Sequence, residues 1–237
     1  NSLQARATSA GGGASFVYTK VNDTSANILA NVDGGGAVQD ITGKTVTVTT
    51  ASNVTNYGKM LTAATSGGAG GTVAGAVVDS ASNLETVTLT GATSVTAEIS
   101  NANDLTAVTL DSEVTHIDIS TNSVANVLLD INDLTSRTVV NAGSAGSYKV
   151  KDTASVLAGA SSSLLNGQAV VINDGVTAAT TSELNTIQTS TGGGTVTYTK
   201  LKGTASDLVT NKADITSGVA VTLIETGANS TLATVAE

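Results

Sequence analysis

Three aspartates in short runs of oxygen-bearing side chains are the residues of this sequence best suited to chemistry. Asp130 and Asp133 lie in the run Asp130-Ile-Asn-Asp133, and Asp174 lies between Asn173 and Gly175. Carboxylate and amide oxygens on nearby residues suit a hard cation such as Ca²⁺. We therefore treat Asp130, Asp133 and Asp174 as candidate calcium ligands. Neither run completes the twelve-residue calcium loop with its distal glutamate, so turn formation is the alternative interpretation.

No other combination of residues indicates catalysis or a cofactor. His116 is the only histidine, cysteine is absent, and no Gly-x-Ser-x-Gly nucleophile motif occurs. The glycine triplets at 11–13 and 192–194 precede a strand pattern, whereas a phosphate-binding glycine loop opens a helix. We interpret both triplets as turns. The sequence thus predicts no enzymatic activity, no catalytic residue and no cofactor apart from the candidate calcium.

The elements that must position these residues are built from aliphatic and β-branched side chains. Hydrophobic residues make up 40% of the 237 residues, but aromatic residues only 2%. A core of uniform aliphatic side chains suits thin, regular layers, and threonine suits the pleated surface of a strand. Proline is absent. Arrays of paired strands have few places for a residue without an N–H, so this absence favours such an array.

Charge and composition exclude several functional classes. The net charge is −9 with an isoelectric point of about 4.4, and no basic cluster occurs, so we predict no nucleic-acid binding. No apolar run reaches the length of a membrane-spanning helix, and we predict no such span. The lack of cysteine excludes a fold stabilised by disulfides.

A long repeat organises most of the chain. Each copy contains a predicted strand that ends at Asp or Gly. Thr or Ser follows, and then a run of small residues with an aliphatic residue near its fourth position. Asp and Thr at such positions accept backbone N–H groups, which predicts a short helical turn after each. A second strand is predicted around Val170 and Val221, each 17 residues after its threonine, and around Val46 in the first copy. The four copies are 20–28, 77–84, 149–157 and 200–208.

A shorter repeat occupies the middle of the chain. The segments 84–89, 105–110 and 124–129 match one another at spacings of 21 and 19 residues, and alternating segments at 95–99 and 114–119 lie between them. Alternation predicts strands with one buried face. We expect nine aliphatic residues to stack as buried rungs, so that Val108→Asp strongly destabilises the segment. These residues are Leu84, Val87, Leu89, Leu105, Val108, Leu110, Val124, Val127 and Leu129.

Together the repeats predict a mainly β fold, a repetitive β-solenoid with short strands and occasional short helical turns. We divide the chain into a first repeat unit at 1–72 that starts in mid-unit, and an expanded unit at 73–146 with coils of about 20 residues. A third unit occupies 147–197, and a truncated fourth unit occupies 198–237.

Two stretches resemble known families. The pattern Asp152-Thr-Ala-Ser-Val-Leu157 and the stretch 173–185 resemble tandem repeats of large cyanobacterial and proteobacterial cell-surface proteins and biofilm adhesins. The coils at 84–129 resemble β-solenoids of bacterial surface layers. The stretch 174–185 is also similar to a motif of phage tail fibres. The first two resemblances imply an extracellular structural role at a bacterial cell surface.

We accordingly expect a non-catalytic structural segment of an extracellular bacterial filament, surface layer or adhesin. The alternative is a phage tail-fibre or other virion structural protein. A polysaccharide-processing β-helix enzyme is less favoured, because such enzymes usually carry aromatic sugar platforms. Leu232–Glu237 matches the segment beginning at Leu184, and the expected continuation occurs at 3–18. We therefore predict continuation in a longer chain or head-to-tail self-association, with surface polysaccharide as a further partner.

Overall fold

The computed structural model describes residues 18–33, 41–99, 105, 108–119, 127–140, 148–175 and 177–224. The chain divides into two compact units. Unit 1 comprises Asn1–Ser123 with Arg137–Ala142, and unit 2 comprises Val124–Ser136 with Gly143–Glu237. Both units combine helices with parallel sheets. The division into four repeat units at 1–72, 73–146, 147–197 and 198–237 is based on sequence matches, and it stays a prediction.

Unit 1 contains one six-stranded parallel sheet whose strand order follows the chain. Helix α1 (Ser25–Asp33) follows the first strand, and helix α2 (Val54–Thr65) follows the second. Single 3₁₀ turns occur at Ser66–Gly68 and Ala81–Leu84. The strands are β1 (Lys20–Asp23), β2 (Thr45–Val48), β3 (Thr72–Ser80), β4 (Ala92–Glu98), β5 (His116–Asp118) and β7 (Thr138–Val140).

Unit 2 contains two smaller parallel sheets. The order of the first is β11-β9-β8-β6 and that of the second is β10-β12-β13, with bounds β6 (Val127–Leu129), β8 (Tyr148–Asp152), β9 (Ala169–Ile172), β10 (Ala179–Thr180), β11 (Val196–Thr197), β12 (Lys200–Gly203) and β13 (Ala220–Leu223). The helices are α3 (Ile131–Ser136), α4 (Ala154–Gly159), α5 (Ser162–Leu165), α6 (Thr181–Ser190) and α7 (Ala205–Thr210), followed by a 3₁₀ turn at Lys212–Asp214.

Alternation along the strands explains why they pair in this register. In unit 1, Val21, Val46 and Val73 are register partners on three successive strands, and all three are buried. In unit 2, Val150 and Val170 are partners and fully buried. A one-residue slip would turn these columns towards solvent, so burial of one face specifies the register.

The prediction of a mainly β solenoid with occasional helical turns is wrong, because the fold is mixed α/β with parallel sheets. Helices are regular members of the repeated unit. They bury only a narrow stripe, such as Tyr57, Met60 and Ala64 in α2 or Leu184 and Ile187 in α6. Threonine, serine and asparagine fill their remaining faces, and this composition concealed the helical period among strand-like residues.

Two finer predictions about the long repeat are confirmed. A helix or 3₁₀ turn begins directly after Thr24, Ser80, Thr153 and Thr204. Second strands lie around Val46, Val170 and Val221, as β2, β9 and β13. These features depend on local capping and local alternation, which a sequence displays directly.

The predicted stack of nine rungs in the middle of the chain is wrong. Leu84 lies in a 3₁₀ turn. Within the described parts of the three matching segments only 127–129 forms a strand, and that strand belongs to a sheet of unit 2. The segments at 95–99 and 114–119 supply β4 and β5 instead. Val124 lies outside the described residues. Leu84, Leu89, Leu110, Val127 and Leu129 are buried, whereas Val87, Leu105 and Val108 are only half-buried.

Candidate functional site

Three aspartates occupy equivalent places where a strand passes into the next turn, and we call Asp23, Asp79 and Asp152 the strand-end aspartates. In each, Oδ1 accepts the backbone N–H of the following residue at 2.7–2.8 Å. Asn27 and Asn83, each four residues further on, donate their side-chain N–H to Oδ1 of Asp23 and Asp79. One oxygen of each carboxylate therefore holds its own turn.

The second carboxylate oxygen reaches an earlier part of the chain. Oδ2 of Asp79 accepts the N–H of Val54 at 3.0 Å, and Oδ2 of Asp152 accepts the N–H of Ile131 at 3.3 Å. Val54 and Ile131 are the first residues of α2 and α3. The first N–H groups of a helix lack intrahelical partners and favour a negative charge nearby. One carboxylate thus joins its own turn to the start of the preceding helix.

Asp111 and Glu113 make a similar connection in unit 1. Oδ2 of Asp111 accepts the N–H of Val87 at 3.4 Å, and Oε2 of Glu113 accepts the N–H of Leu89 at 2.6 Å. The N–H of Glu113 donates to Oδ1 of Asp111 at 2.9 Å. That hydrogen bond is the main reason why the pKa of Asp111 is lowered, although desolvation opposes it. Both acidic side chains satisfy backbone groups 24 residues earlier.

Asp174 is the most completely bonded of the three candidate calcium ligands. It is buried, and it accepts the N–H of Thr199 at 2.5 Å, the hydroxyl of Thr199 at 2.8 Å and the N–H of Lys200 at 2.6 Å. Burial by itself raises the pKa of Asp174, but these hydrogen bonds together outweigh burial and lower its pKa. Its oxygens therefore meet donors at the start of β12, and a cation would have to displace them.

The other two candidates lie at the start of α3. Oδ1 of Asp130 accepts the N–H of Asp133 at 2.7 Å, so Asp130 caps that helix. No group of three or more acidic, histidine or cysteine side chains that could hold a metal ion occurs within the described residues. Calcium binding at Asp130, Asp133 and Asp174 stays a prediction.

His116 and the second glycine triplet have structural surroundings. Within β5, His116 lies in register with Thr96 and Thr138, and its Nδ1 is 2.7 Å from the hydroxyl of Thr115. The residues 192–194 follow α6 as a turn in which Gly192 and Gly193 have positive φ, so the prediction of a turn there is confirmed. The triplet at 11–13 lies outside the described residues.

Sequence reasoning missed the connections between successive strand–helix segments, and it also missed Tyr57. This side chain is fully buried and donates its hydroxyl to the carbonyl groups of Val73 at 2.8 Å and Thr90 at 3.3 Å. Burial, with a smaller effect of the charge on Glu113, raises the pKa of Tyr57 to about 12. A visible but unused signal was Thr180-Thr-Ser-Glu183, a capping-box pattern that the structure contains.

Comparison of the chain with protein-family models, curated proteins and solved structures found no match. Among the helices of the described ranges, none has the length and apolar character needed to cross a membrane. The arrangement of acidic side chains is therefore interpreted from its geometry alone. Chemically, it supplies fixed hydrogen-bond acceptors that connect backbone segments 21–26 residues apart.

Proposed function

We propose that this chain is a non-catalytic structural segment of an extracellular bacterial filament, surface layer or adhesin. The observation that carries the proposal is the order of the strands in the parallel sheet of unit 1. Each strand pairs with the strand that follows it along the chain within that unit. A backbone ladder of this kind connects the successive strands of unit 1, as in arrays whose repeats contact only adjacent repeats.

The acidic side chains support this role because they reinforce the same connections. Asp79 and Asp152 each hold the first N–H of a helix that lies 25 or 21 residues earlier. Hydrogen bonds to an ionised acceptor are stronger than neutral ones, contributing about 1.5–3 kcal/mol. Separating two successive segments would then require breaking both the strand ladder and the carboxylate link.

The exposed surface supports a hydrated exterior. Outward positions on the strands carry residues such as Thr45, Thr47 and Glu98, while the alternate positions are buried. The net charge of −9 adds repulsion between copies at their sides. Such a surface suits a secreted structural element, with surface polysaccharide as a partner and with continuation in a longer chain or in further copies.

Immunogold electron microscopy of the source cells with antibodies against this chain tests the proposal. We expect gold particles at the cell surface or on extracellular filaments, and we expect loss of the label after brief protease treatment of intact cells. Label on virions would favour the phage tail-fibre alternative instead. Label confined to the cytoplasm would overturn the proposal.

A mechanical measurement addresses the proposed role directly. Pulling the chain by atomic-force microscopy should give a lower unfolding force for Asp79→Ala than for wild type, because both the turn and the link to Val54 are lost. Asp79→Asn is the matched control, since its amide keeps one oxygen that can accept either the donors of the turn or the N–H of Val54. Equal unfolding forces for wild type and Asp79→Ala would show that the carboxylate link does not contribute to the mechanical strength of the chain.

A further inference from the structure

Half of the lysines of this chain lie on two strands of unit 2. Among its eight lysines, Lys149 and Lys151 belong to β8, and Lys200 and Lys202 belong to β12. The residue between the two lysines of each strand is fully buried. Successive side chains of a strand point to opposite faces of the sheet, so all four lysines point away from the core. We call these four residues the lysine face.

The fold brings the two pairs of lysines, which are far apart in the sequence, to the outer side of one core. Val150 of β8 and Leu201 of β12 belong to the same hydrophobic cluster, together with Val170 of β9. β9 pairs with β8 and with β11, and β12 begins shortly after β11 ends. Since neighbouring strands lie about 4.8 Å apart, β8 and β11 are separated by about 10 Å. One extended ligand can therefore contact both pairs.

Neutral side chains surround the lysine face. Ala169 lies in register with Lys149, and Val171 lies in register with Lys151. On the other strand, Thr222 is a register partner of Lys202. No outward position on the described strands of unit 2 carries an acidic residue. The outer side of these strands is therefore positively charged, although the chain as a whole has a net charge of −9.

The nearby acidic residues direct their carboxylates to backbone groups instead. Asp152 accepts two backbone N–H groups, and Asp174 accepts those at the start of β12. Lys200 Nζ donates to a neutral backbone carbonyl at 3.1 Å. Within the described part of the chain none of the four lysines forms an ion pair, whereas Lys59 of unit 1 pairs with Asp33. The positive charges of the lysine face thus remain available to a ligand.

The net negative charge of the chain does not prevent an anion from binding at this face. At physiological ionic strength, exposed charges separated by more than about 8 Å are largely screened from one another. A ligand in contact with the lysine face therefore responds mainly to the four lysines and much less to the distant carboxylates.

The composition of the face favours a polysaccharide over a nucleic acid or a membrane. Proteins that bind single-stranded nucleic acid combine basic groups with aromatic side chains on which bases stack, and membrane-surface contacts use aromatic or large aliphatic anchors. Tyr148 and Tyr198 instead pack against the core of unit 2. Thr197 and Thr222 are exposed, and their hydroxyl groups both donate and accept hydrogen bonds, which suits the hydroxyl groups of sugars.

We propose that the lysine face binds an anionic polysaccharide. The acidic groups of the polysaccharide contact the four ammonium groups, and its hydroxyl groups exchange hydrogen bonds with Thr197 and Thr222. The inference rests on the proposed function and specifies the chemistry of its polysaccharide partner. It also places the binding site on the outer side of β8, β9, β11 and β12, where the strands themselves hold the lysines in fixed rows.

Isothermal titration calorimetry with alginate oligosaccharides, in which every sugar carries a carboxylate, tests this site. The wild-type chain should bind alginate but not dextran, a neutral polysaccharide. Its affinity for alginate should fall steeply between about 50 mM and about 500 mM salt, because the contact is electrostatic. The quadruple variant Lys149→Gln/Lys151→Gln/Lys200→Gln/Lys202→Gln should bind alginate at least about tenfold more weakly than wild type, since it removes the complementary charge.

The other four lysines of the chain provide a matched control. The variant Lys20→Gln/Lys44→Gln/Lys59→Gln/Lys212→Gln has the same net charge as the first quadruple variant, but it keeps the lysine face, so it should bind alginate like wild type.

A third variant, with arginine in place of all four lysines of the lysine face, keeps the positive charge and should also bind. Circular dichroism of each variant, with the secondary-structure signal of wild type expected, establishes that weak binding does not reflect unfolding.

Three results would overturn the inference. They are a wild-type chain that does not bind alginate, equal losses of affinity in the two glutamine variants, and tighter binding to single-stranded DNA or to phosphatidylserine vesicles than to alginate. The second result would show that net charge matters and the lysine face does not. A chain that fails to bind alginate but is found at the cell surface would leave the proposed function intact, so the two failures are distinguishable.

Discussion

Units 1 and 2 satisfy the first N–H groups of a helix with different residues at one pair of matching positions. At the end of β3 unit 1 carries Asp79, and at the matching end of β12 unit 2 carries Gly203. Asp79 caps the start of the preceding helix through Val54. A Cβ atom on Gly203 would lie 3.3 Å from the methyl carbon of Thr181, the first residue of the preceding helix α6. The strand end and the helix start meet at both positions, but a carboxylate connects them only at Asp79.

Unit 2 caps α6 from within the helix. Thr180 accepts the N–H of Glu183 at 3.1 Å, and Glu183 accepts the N–H of Thr180 at 2.8 Å, which makes a capping box. A second capping box joins Thr204 and Asp207 at α7. The N–H groups of the first helical turn can therefore be satisfied by a neighbouring segment or by residues at the start of the helix itself. Only the first solution also connects two segments.

The largest expected effect comes from removing the buried side chain of the two equivalent helices. Tyr57→Ala in α2 should lower the free energy of unfolding by about 3–5 kcal/mol, and Leu184→Ala in α6 by about 2–5 kcal/mol, since both side chains are fully buried. Urea unfolding gives the size of each effect, and hydrogen exchange locates it. A loss of protection in unit 2 after Tyr57→Ala equal to that in unit 1 would contradict the division into two units.

The link through Asp174 should give unit 2 a distinctive acid response. The pKa of Asp174 is lowered from its ordinary value of 3.8, so its hydrogen bonds stabilise the fold fully above that value and are lost as the pH falls through the lower, folded-state pKa. Asp174→Asn should cost about 1.5–3 kcal/mol at pH 7, because an amide cannot accept all three donors.

The acid response is measured by urea unfolding of wild type and Asp174→Asn from pH 7 down to pH 2. The two stabilities should converge once the pH has fallen well below 3.8. Asn173→Ala is a neighbouring control whose difference from wild type should not vary with pH in this way. A gap between wild type and Asp174→Asn that stays constant with pH would show that ionised Asp174 does not account for the effect.

The two capping solutions should respond differently to removal of their acidic residue. Asp79→Ala and Glu183→Ala should each cost about 0.5–2 kcal/mol, the usual value of a helix cap. Hydrogen exchange should accelerate at Val54, 25 residues away, in Asp79→Ala, but only locally at Thr180 in Glu183→Ala. Purely local acceleration in both variants would show that Asp79 does not connect two segments more than Glu183 does.

The smallest expected effect concerns the exposed ion pair of unit 1. Lys59 Nζ lies 3.2 Å from Asp33 Oδ2, and both side chains are about half exposed. Lys59→Met should change the free energy of unfolding by at most about 0.5 kcal/mol, because solvent and salt screen such pairs. Urea unfolding at low and high salt checks this value. A cost near that of Asp79→Ala would mean that exposed charges connect α1 and α2 more strongly than the geometry implies.

Local features of the fold were predictable from the sequence, and the helical content was not. Thr153 and Thr204 stand next to small residues, so the caps of α4 and α7 could be recognised. The solenoid prediction was wrong because threonine-rich helices with a narrow buried stripe resemble strands in composition. The middle repeat was misassigned for a related reason: Leu84 and Leu110 are buried outside any strand, so burial alone did not identify the strands.

The sequence by itself determined the turns, the helix caps and the alternation that buries one face of each strand, since these depend on residues within a few positions of one another. Only the tertiary structure decided that Asp79 caps the start of α2, that Asp174 holds Thr199 and Lys200, and that 127–129 pairs within unit 2. Those contacts span 21–26 residues. They depend on how successive segments stack, and stacking follows from the burial of many aliphatic residues together rather than from any single pattern.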